Sequence, residues 1–370
     1  MEQKPYSNIN ATLAIAKASF RSIIRSPSAV VFSLAFPLIF ILVFGFIGGG
    51  GGIKVDIGVA KGTDTSSMIY QKFKHNPLIH LIEDESEADM KTDLVKGRID
   101  AIISIQKNTT GGAPFLLNVQ YTEASQEKGK IFRSQVMSAV AGANQMVARL
   151  TAPAPEVIHL QESTIKGRVY KTIDFILPGQ LGFSLLSSGV FGTAFVFLSL
   201  RITLVIKRFF ATPVKRYSIV LGEMLARIVF SLIGALFIIL IGRFAFGFTL
   251  IHGVVTVVNM LVLAVIGLIV FMGFGFVVSG IAKNESSVPP IANIITLPQF
   301  LLSGTFFSIS AFPTWLQPIS RALPLTYLND AMRKVAFEGA NLIDVSHQIL
   351  ILFVWMAIIY TVAVKTFKWE

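Results

Sequence analysis

The chain has 370 residues, of which 53% are hydrophobic and only 14% charged, and it carries a formal charge of +11. Soluble domains average about 25% charged residues, so this much apolar surface excludes an ordinary water-soluble protein. There is no cysteine, which excludes a disulfide framework, a thiolate metal site and a cysteine nucleophile.

The excess cations cluster at the ends of apolar runs, where they face anionic headgroups and fix orientation. They give no reason to invoke nucleic acid. Residues 1–28 read as a cytoplasmic or interfacial amphipathic helix, with Leu13, Ala16, Phe20 and Ile23 interleaved with Lys17, Arg21 and Arg25. Residues 29–47 form a first transmembrane helix, kinked at Pro37 and stopped by Gly48 to Gly52. It is too long for a signal-peptide core and no small-residue cleavage site follows, so it reads as an uncleaved anchor.

Residues 48–172 differ in kind. From 53 to 171 there are fifteen Lys or Arg against thirteen Asp or Glu, an ordinary soluble balance. Alternation predicts strands over 54–59, 78–82, 100–105 and 115–121, with helices over 66–74, 86–96 and 125–150. This is an inserted extracytoplasmic α/β domain between helices one and two. Pro153-Ala154-Pro155 begins a tether back to the membrane. The acidic group Glu83, Asp84, Glu85, Glu87 and Asp89 lacks calcium-loop spacing and reads as a solvated helix start. Asn108-Thr109-Thr110 matches a glycosylation sequon.

Residues 173–370 carry five more spans. The second runs over 173–199 and the third over 219–242. Between them lies the loop 200–218, with Arg201, Lys207, Arg208, Lys215 and Arg216 and no acid from Arg201 to Tyr217. Glu223 and Arg227 are one helical turn apart, a spacing that permits an ion pair. The fourth span, 254–282, carries Gly267, Gly273, Gly275 and Gly280 for close helix packing. The fifth runs from Val288 to about Phe307 with Pro289, Pro290 and Pro298, which suggests a packed or pathway-lining helix. Residues 308–345 are too apolar for a free loop and too broken for a span, and read as two re-entrant helices. The sixth span is 346–364. The fold class expected is therefore an α-helical polytopic membrane protein with six transmembrane helices. Basic segments at both ends and at 201–216 put both termini in the cytoplasm.

Two motifs, in order, carry a family resemblance: FFATPVKRYSIVLGEMLAR after the second span, and LLSGTFFSISAFPTWLQPISRALPLTYLNDAMR after the fifth. Together they resemble permease subunits of ABC exporters of the drug and polysaccharide class. The resemblance implies an ATPase-coupling surface at Arg201, Lys207, Arg208, Thr212, Pro213, Lys215, Arg216, Glu223 and Arg227. It implies a pathway or re-entrant set at Pro298, Gly304, Phe306, Phe307, Pro324 and Tyr327. No GxxxxGK[ST] phosphate loop is present, so ATP and Mg belong to a partner ABC ATPase subunit, and the chain holds no cofactor or metal and is not itself an enzyme. Six spans are few for a pathway, so a homodimer, or a heterodimer with a similar permease, is expected in a bacterial cytoplasmic membrane. The expected activity is export of a hydrophobic or amphipathic substrate. The rival reading is a non-transporting membrane receptor or scaffold that binds a ligand through the outer domain. A membrane-embedded enzyme ranks last, for want of an intramembrane His/Asp/Glu pair.

Overall fold

The structure is a computed structural model that describes residues 7–25, 35, 37–43, 55–83, 85–95, 97–108, 113–148, 158–166, 171–204, 213–309 and 312–367. The chain forms two compact units, Met1–Gly48 with Thr172–Glu370, and Gly49–Lys171. The first unit opens with helix α1, Asn8–Ile24, whose start is capped by the Ser7 hydroxyl.

The second unit is a five-stranded sheet with helices. In chain order it contains β1 (Val55–Val59), α2 (Met68–Lys74), β2 (Ile79–Ile82), α3 (Glu87–Val95), β3 (Ala101–Lys107), β4 (Phe115–Thr122), α4 (Gln126–Ala148) and β5 (Ile158–Ile165). The strand order is β2-β1-β3-β4-β5. Strands β2, β1 and β3 are parallel, β3 and β4 form an antiparallel pair from Ala101 opposite Tyr121 to Lys107 opposite Phe115, and β5 runs parallel to β4. Parallel neighbours need crossovers, which α2, α3 and α4 supply. Ile57, Ile103, Leu117 and Val119 point to one face, under Tyr70 and Phe73 of α2 and Phe132 and Val136 of α4. On the other face α3 covers only one end, with Met90 and Leu94 against Ile99 and Ile102.

Strand β5 corrects the sequence reading, which took this stretch as part of a tether. Only Ile158, Leu160 and Ile165 of its eight residues are apolar, a weak alternation, and the strand forms because β4 offers eight consecutive partners. At α3, Ser86 accepts the Asp89 amide at 3.2 Å and donates its hydroxyl to the Asp89 carboxylate at 2.6 Å. Gly97, at φ +69°, ends that turn in a conformation other residues adopt at a cost. In the acidic group, Glu83 accepts the Tyr70 hydroxyl, and burial together with that carboxylate pushes the phenol up to about 12.

The first unit continues with α5 (Thr172–Ile202), α6 (Arg216–Phe246), α7 (Val254–Ile281), α8 (Val288–Leu302), α9 (Gln317–Ala322), α10 (Pro324–Arg333) and α11 (Ser346–Thr366). Among the described residues four helices, α5, α6, α7 and α11, are long and apolar enough to cross a membrane. This is fewer than the six spans expected. The expected first span lies mostly outside the described residues, being helical at 37–43. The expected fifth is helical for only 15 residues and stops at Leu302, short of the Phe307 expected, because Ser303 and Gly304, at φ +71°, turn the chain. At 1.5 Å per residue such a helix is about 22 Å long, less than the hydrocarbon thickness. Pro289 and Pro290 sit in its first turn, where a missing N–H costs nothing. Only one face of α8 is packed; Ile294, Leu297 and Leu301 on the other are exposed.

Helix α5 is the hub, and glycines set how closely its neighbours approach. A Cβ at Gly275 of α7 would lie 2.7 Å from the Val190 carbonyl oxygen and 2.8 Å from that of Gly189, both on α5. One at Gly280 would lie 2.6 Å from the Thr366 carbonyl oxygen of α11. Gly267 and Gly273 meet Leu328 of α10 and Ile359 of α11. Such small-residue seams let helices associate in lipid, where the hydrophobic effect gives no drive.

Candidate functional site

Two groups of polar contacts cross the apolar unit, one near the α5–α6 connection and one where α8 and α10 meet α5.

Near the connection, α1 lies against the start of α6. Gly222 leaves room for it: a Cβ there would be 2.7 Å from Ile15 and 3.0 Å from the Thr12 carbonyl oxygen. Beside this contact the Ser19 hydroxyl donates to the Glu223 carboxylate. The rest of α1 is split between a cationic stripe, Lys17, Arg21 and Arg25, and an apolar one, Ile9, Leu13 and Ile24, and both are exposed. A helix so divided suits a membrane interface.

One turn along α6, Arg227 is buried and reaches across to α5. Its Nη2 donates to the Gly192 carbonyl at 2.8 Å and its Nη1 to that of Ser188 at 3.4 Å. The guanidinium occupies the space over Gly192, where a Cβ would come within 1.7 Å of Nη1. The Ser188 and Ser231 hydroxyls meet at 3.0 Å in the same seam. The ion pair that the Glu223–Arg227 spacing permits is therefore not formed. The carboxylate is taken by α1 and the guanidinium by α5, so the two charges join α6 to two different helices. A buried charge in an apolar bundle is costly unless its donors are satisfied, and the bare backbone at Gly192 supplies the acceptor.

Arg201, expected on a free basic loop, ends α5 instead and donates to the Ala282 carbonyl just beyond α7. A cation there suits the unsatisfied carbonyls of a helix C-terminus. Pro213, Lys215 and Arg216 are exposed, with the Lys215 ammonium 5.9 Å from the Tyr217 ring centre. Lys207, Arg208 and Thr212 lie outside the described residues.

At the second group, Gly304 is a junction. Its carbonyl accepts Arg333 Nη2 at 2.5 Å, and the same guanidinium donates to the Phe175 carbonyl at 3.0 and 3.1 Å while stacking 3.7 Å above the Phe175 ring centre. Asn329 Nδ2 donates to the Ser303 carbonyl at 3.2 Å and to Thr305 Oγ1 at 3.3 Å. Helix α5 meets this turn with Gly179 and Gly182, where Cβ atoms would lie 2.6 Å from the Thr305 carbonyl oxygen and 2.2 Å from Asn329 Oδ1. Phe306 belongs to an aromatic group. Phe183 and Phe300 lie 3.9 Å apart between ring centres, Phe300 and Phe306 4.8 Å, Phe40 and Phe306 5.5 Å, and Phe306 and Phe307 6.4 Å.

The expected pathway residues do not all come together. Pro298 lies inside α8 one turn before Leu302. Pro324 is buried at the start of α10, and the Tyr327 hydroxyl donates to the Arg321 carbonyl at 2.6 Å, which fastens α10 to α9. Sequence reasoning missed Gln180, Phe183, Asn329 and Arg333. Gln180 is fully buried, and among the described residues neither polar atom of its amide has a hydrogen-bond partner. The signal was readable: a glutamine inside an apolar helix is costly and needs a reason.

The comparisons with known proteins cover nearly all of the chain. The family model for ABC-2 family transporter proteins matches residues 27–365. "ABC transporter G family member 20" of Dictyostelium discoideum is 22% identical over 378 residues, 97% of this chain but 51% of that protein. The chain thus spans about half the length of that relative. "Linearmycin resistance permease protein LnrN" of Bacillus subtilis (strain 168) is 22% identical over 390 residues, 96% of this chain and 99% of that protein.

Proposed function

We infer the function from one premise: this chain belongs to the ABC-2 family of transporter proteins. It is a membrane-spanning subunit of an ABC transporter, and it works as an exporter permease energised by a separate ABC ATPase that holds the ATP and Mg. Two copies, or one copy and a similar permease, form the pathway in a cytoplasmic membrane, with both termini inside and Gly49–Lys171 outside. The cargo is hydrophobic or amphipathic. The Bacillus relative is named a linearmycin resistance permease, in keeping with a permease that exports its cargo.

The observation that carries this reading is that α6 holds both neighbours by polar contacts one turn apart, Glu223 with Ser19 of α1 and Arg227 with the Gly192 carbonyl of α5. An ATPase pressing on the basic segment 201–216 and on α1 moves α6, and the Arg227 contact carries that movement to α5. Helix α5 in turn bears Gln180 and Phe183, beside the aromatic group and the turn at Gly304. Repacking of the first span, α5 and α8 there opens a path for cargo.

The test is purification of the full chain with its partner ABC ATPase. Deleting Lys207 to Lys215 is expected to abolish co-purification, and undiminished binding would overturn the docking role. In the intact complex, Arg227→Met is expected to lower cargo-stimulated ATP hydrolysis while leaving ATPase binding in place.

A further inference from the structure

Among the described residues, the sheet of the second unit has one face packed under α2 and α4, while α3 covers only an end of the other. The uncovered part is unusual in composition. The strand registers put Ser104, Asn118 and Gln161 in one row across β3, β4 and β5, and Ile102, Gln120 and Ser163 in the next. With Gln106 this is a carpet of uncharged amides and hydroxyls. A sheet face merely exposed to water has no need to exclude charge, and elsewhere this unit carries many charged side chains.

These rows floor a groove of about 440 Å³, walled by Met90 of α3 and by Ala60 after β1, with Lys61, Glu87 and Lys91 at the rim. That volume is in the range of small-molecule sites. Among the described residues, none of the side chains of Ser104, Gln106, Asn118, Gln120, Gln161 and Ser163 has a hydrogen-bond partner. Other polar side chains of the unit are engaged: Gln71 with the Thr65 carbonyl, Asn76 with the Leu78 amide, and Asn144 with the Ile158 amide. Gln135, Ser138 and Gln145 of α4 are also unpartnered among the described residues, but they are scattered along a helix, whereas six such side chains meet on this floor.

We propose that this groove binds a neutral, polyhydroxylated ligand, an oligosaccharide or the glycan part of a larger molecule. Carboxamides both donate and accept, as sugar hydroxyls do. Neighbouring strands bring such groups about 4.8 Å apart in a fixed row. The floor side chains offer no charge to pair with an ionic ligand: Glu162, which also lines the groove, turns to Arg133 on the opposite face of the sheet. A peptide adding to a sheet uses the backbone of an edge strand, whereas this groove lies on the face, where the strand backbones are already paired. The site is independent of any ATPase partnership and stands or falls by itself.

The test uses the full chain in lipid nanodiscs, titrated calorimetrically with maltotriose, cellotriose and chitotriose, and with trigalacturonate and trialanine for comparison. At least one neutral trisaccharide is expected to bind saturably at one site per chain. Asn118→Leu and Gln161→Leu are each expected to weaken it about tenfold, the effect of losing one to two hydrogen bonds. Lys107→Ala, outside the groove, is expected to leave it unchanged. Circular dichroism checks the fold of each variant, and if Asn118→Leu fails to fold, Gln161→Leu on the exposed edge strand decides alone. Failure of all three neutral sugars to bind, binding indifferent to the variants, or preference for trigalacturonate or trialanine would overturn the proposal.

Discussion

Gly192→Ala tests the contact that joins α6 to α5. The new methyl group would stand 1.7 Å from Arg227 Nη1 and 2.4 Å from Cζ, so the guanidinium has to leave. An arginine side chain can swing away cheaply, and the cost is therefore the two carbonyl contacts at 2.8 and 3.4 Å that it gives up, not the clash. Hydrogen bonds to a charged group contribute about 1.5–3 kcal/mol each; the longer of these two falls at the low end. Alanine returns about 1 kcal/mol of helix propensity over glycine. The net expectation is a loss of about 2–4 kcal/mol, read as a lower midpoint when the protein is titrated with SDS in mixed micelles. The decisive measurement is the double-mutant cycle. With Arg227→Met already in place there is no guanidinium to displace, and Gly192→Ala is then expected to cost little. An equal loss in both backgrounds, or none in the wild type, would refute the assignment of Gly192 as the seat of Arg227.

Three further outcomes follow from the packing and the charges. Gly275→Ala puts a methyl group against backbone oxygens of α5 at 2.7 and 2.8 Å, which cannot rotate away, so stability should fall by about 1–3 kcal/mol, in the range of overpacked cores; Gly142→Ala, on α4 with open space around it, should be neutral or stabilise by up to about 1 kcal/mol. Ser19→Ala removes the hydroxyl held by Glu223 and is expected to raise amide exchange along α1, with no change on α11. Asp100 is buried, and that burial raises its carboxyl above the ordinary 3.8, with Lys128, Ser125 and the Asp56 amide pulling the other way. A raised acid binds more protons folded than unfolded between those two values, so its contribution to stability falls as pH rises through that window and is fully lost above it. Unfolding of Gly49–Lys171 followed from pH 4 upward should show this fall, and Asp100→Asn should flatten it.

Local patterns in the sequence carried most of the elements. Apolar length marked α5, α6, α7 and α11, alternation marked β1 to β4, and the Ser86 cap marked α3, because each of these signals is written within a few turns of one segment. The two motifs after the second and fifth spans carried the family for the same reason: they are local strings. The basic residues around 201–216 were equally legible as charges.

What those charges touch was decided only by the fold. Arg227 looked like a partner for Glu223 because i,i+4 spacing is all that a helix drawn alone can show, yet α5 presented a bare carbonyl at Gly192 and α1 presented Ser19, and both lie far off in sequence. Strand β5 needed β4 to exist before its weak alternation counted. The end of α8 at Leu302 depended on Arg333 and Asn329 holding the turn at Gly304 from another helix. In each case the stabilising partner is a backbone or side-chain group brought close by packing, and one-dimensional spacing holds no record of it.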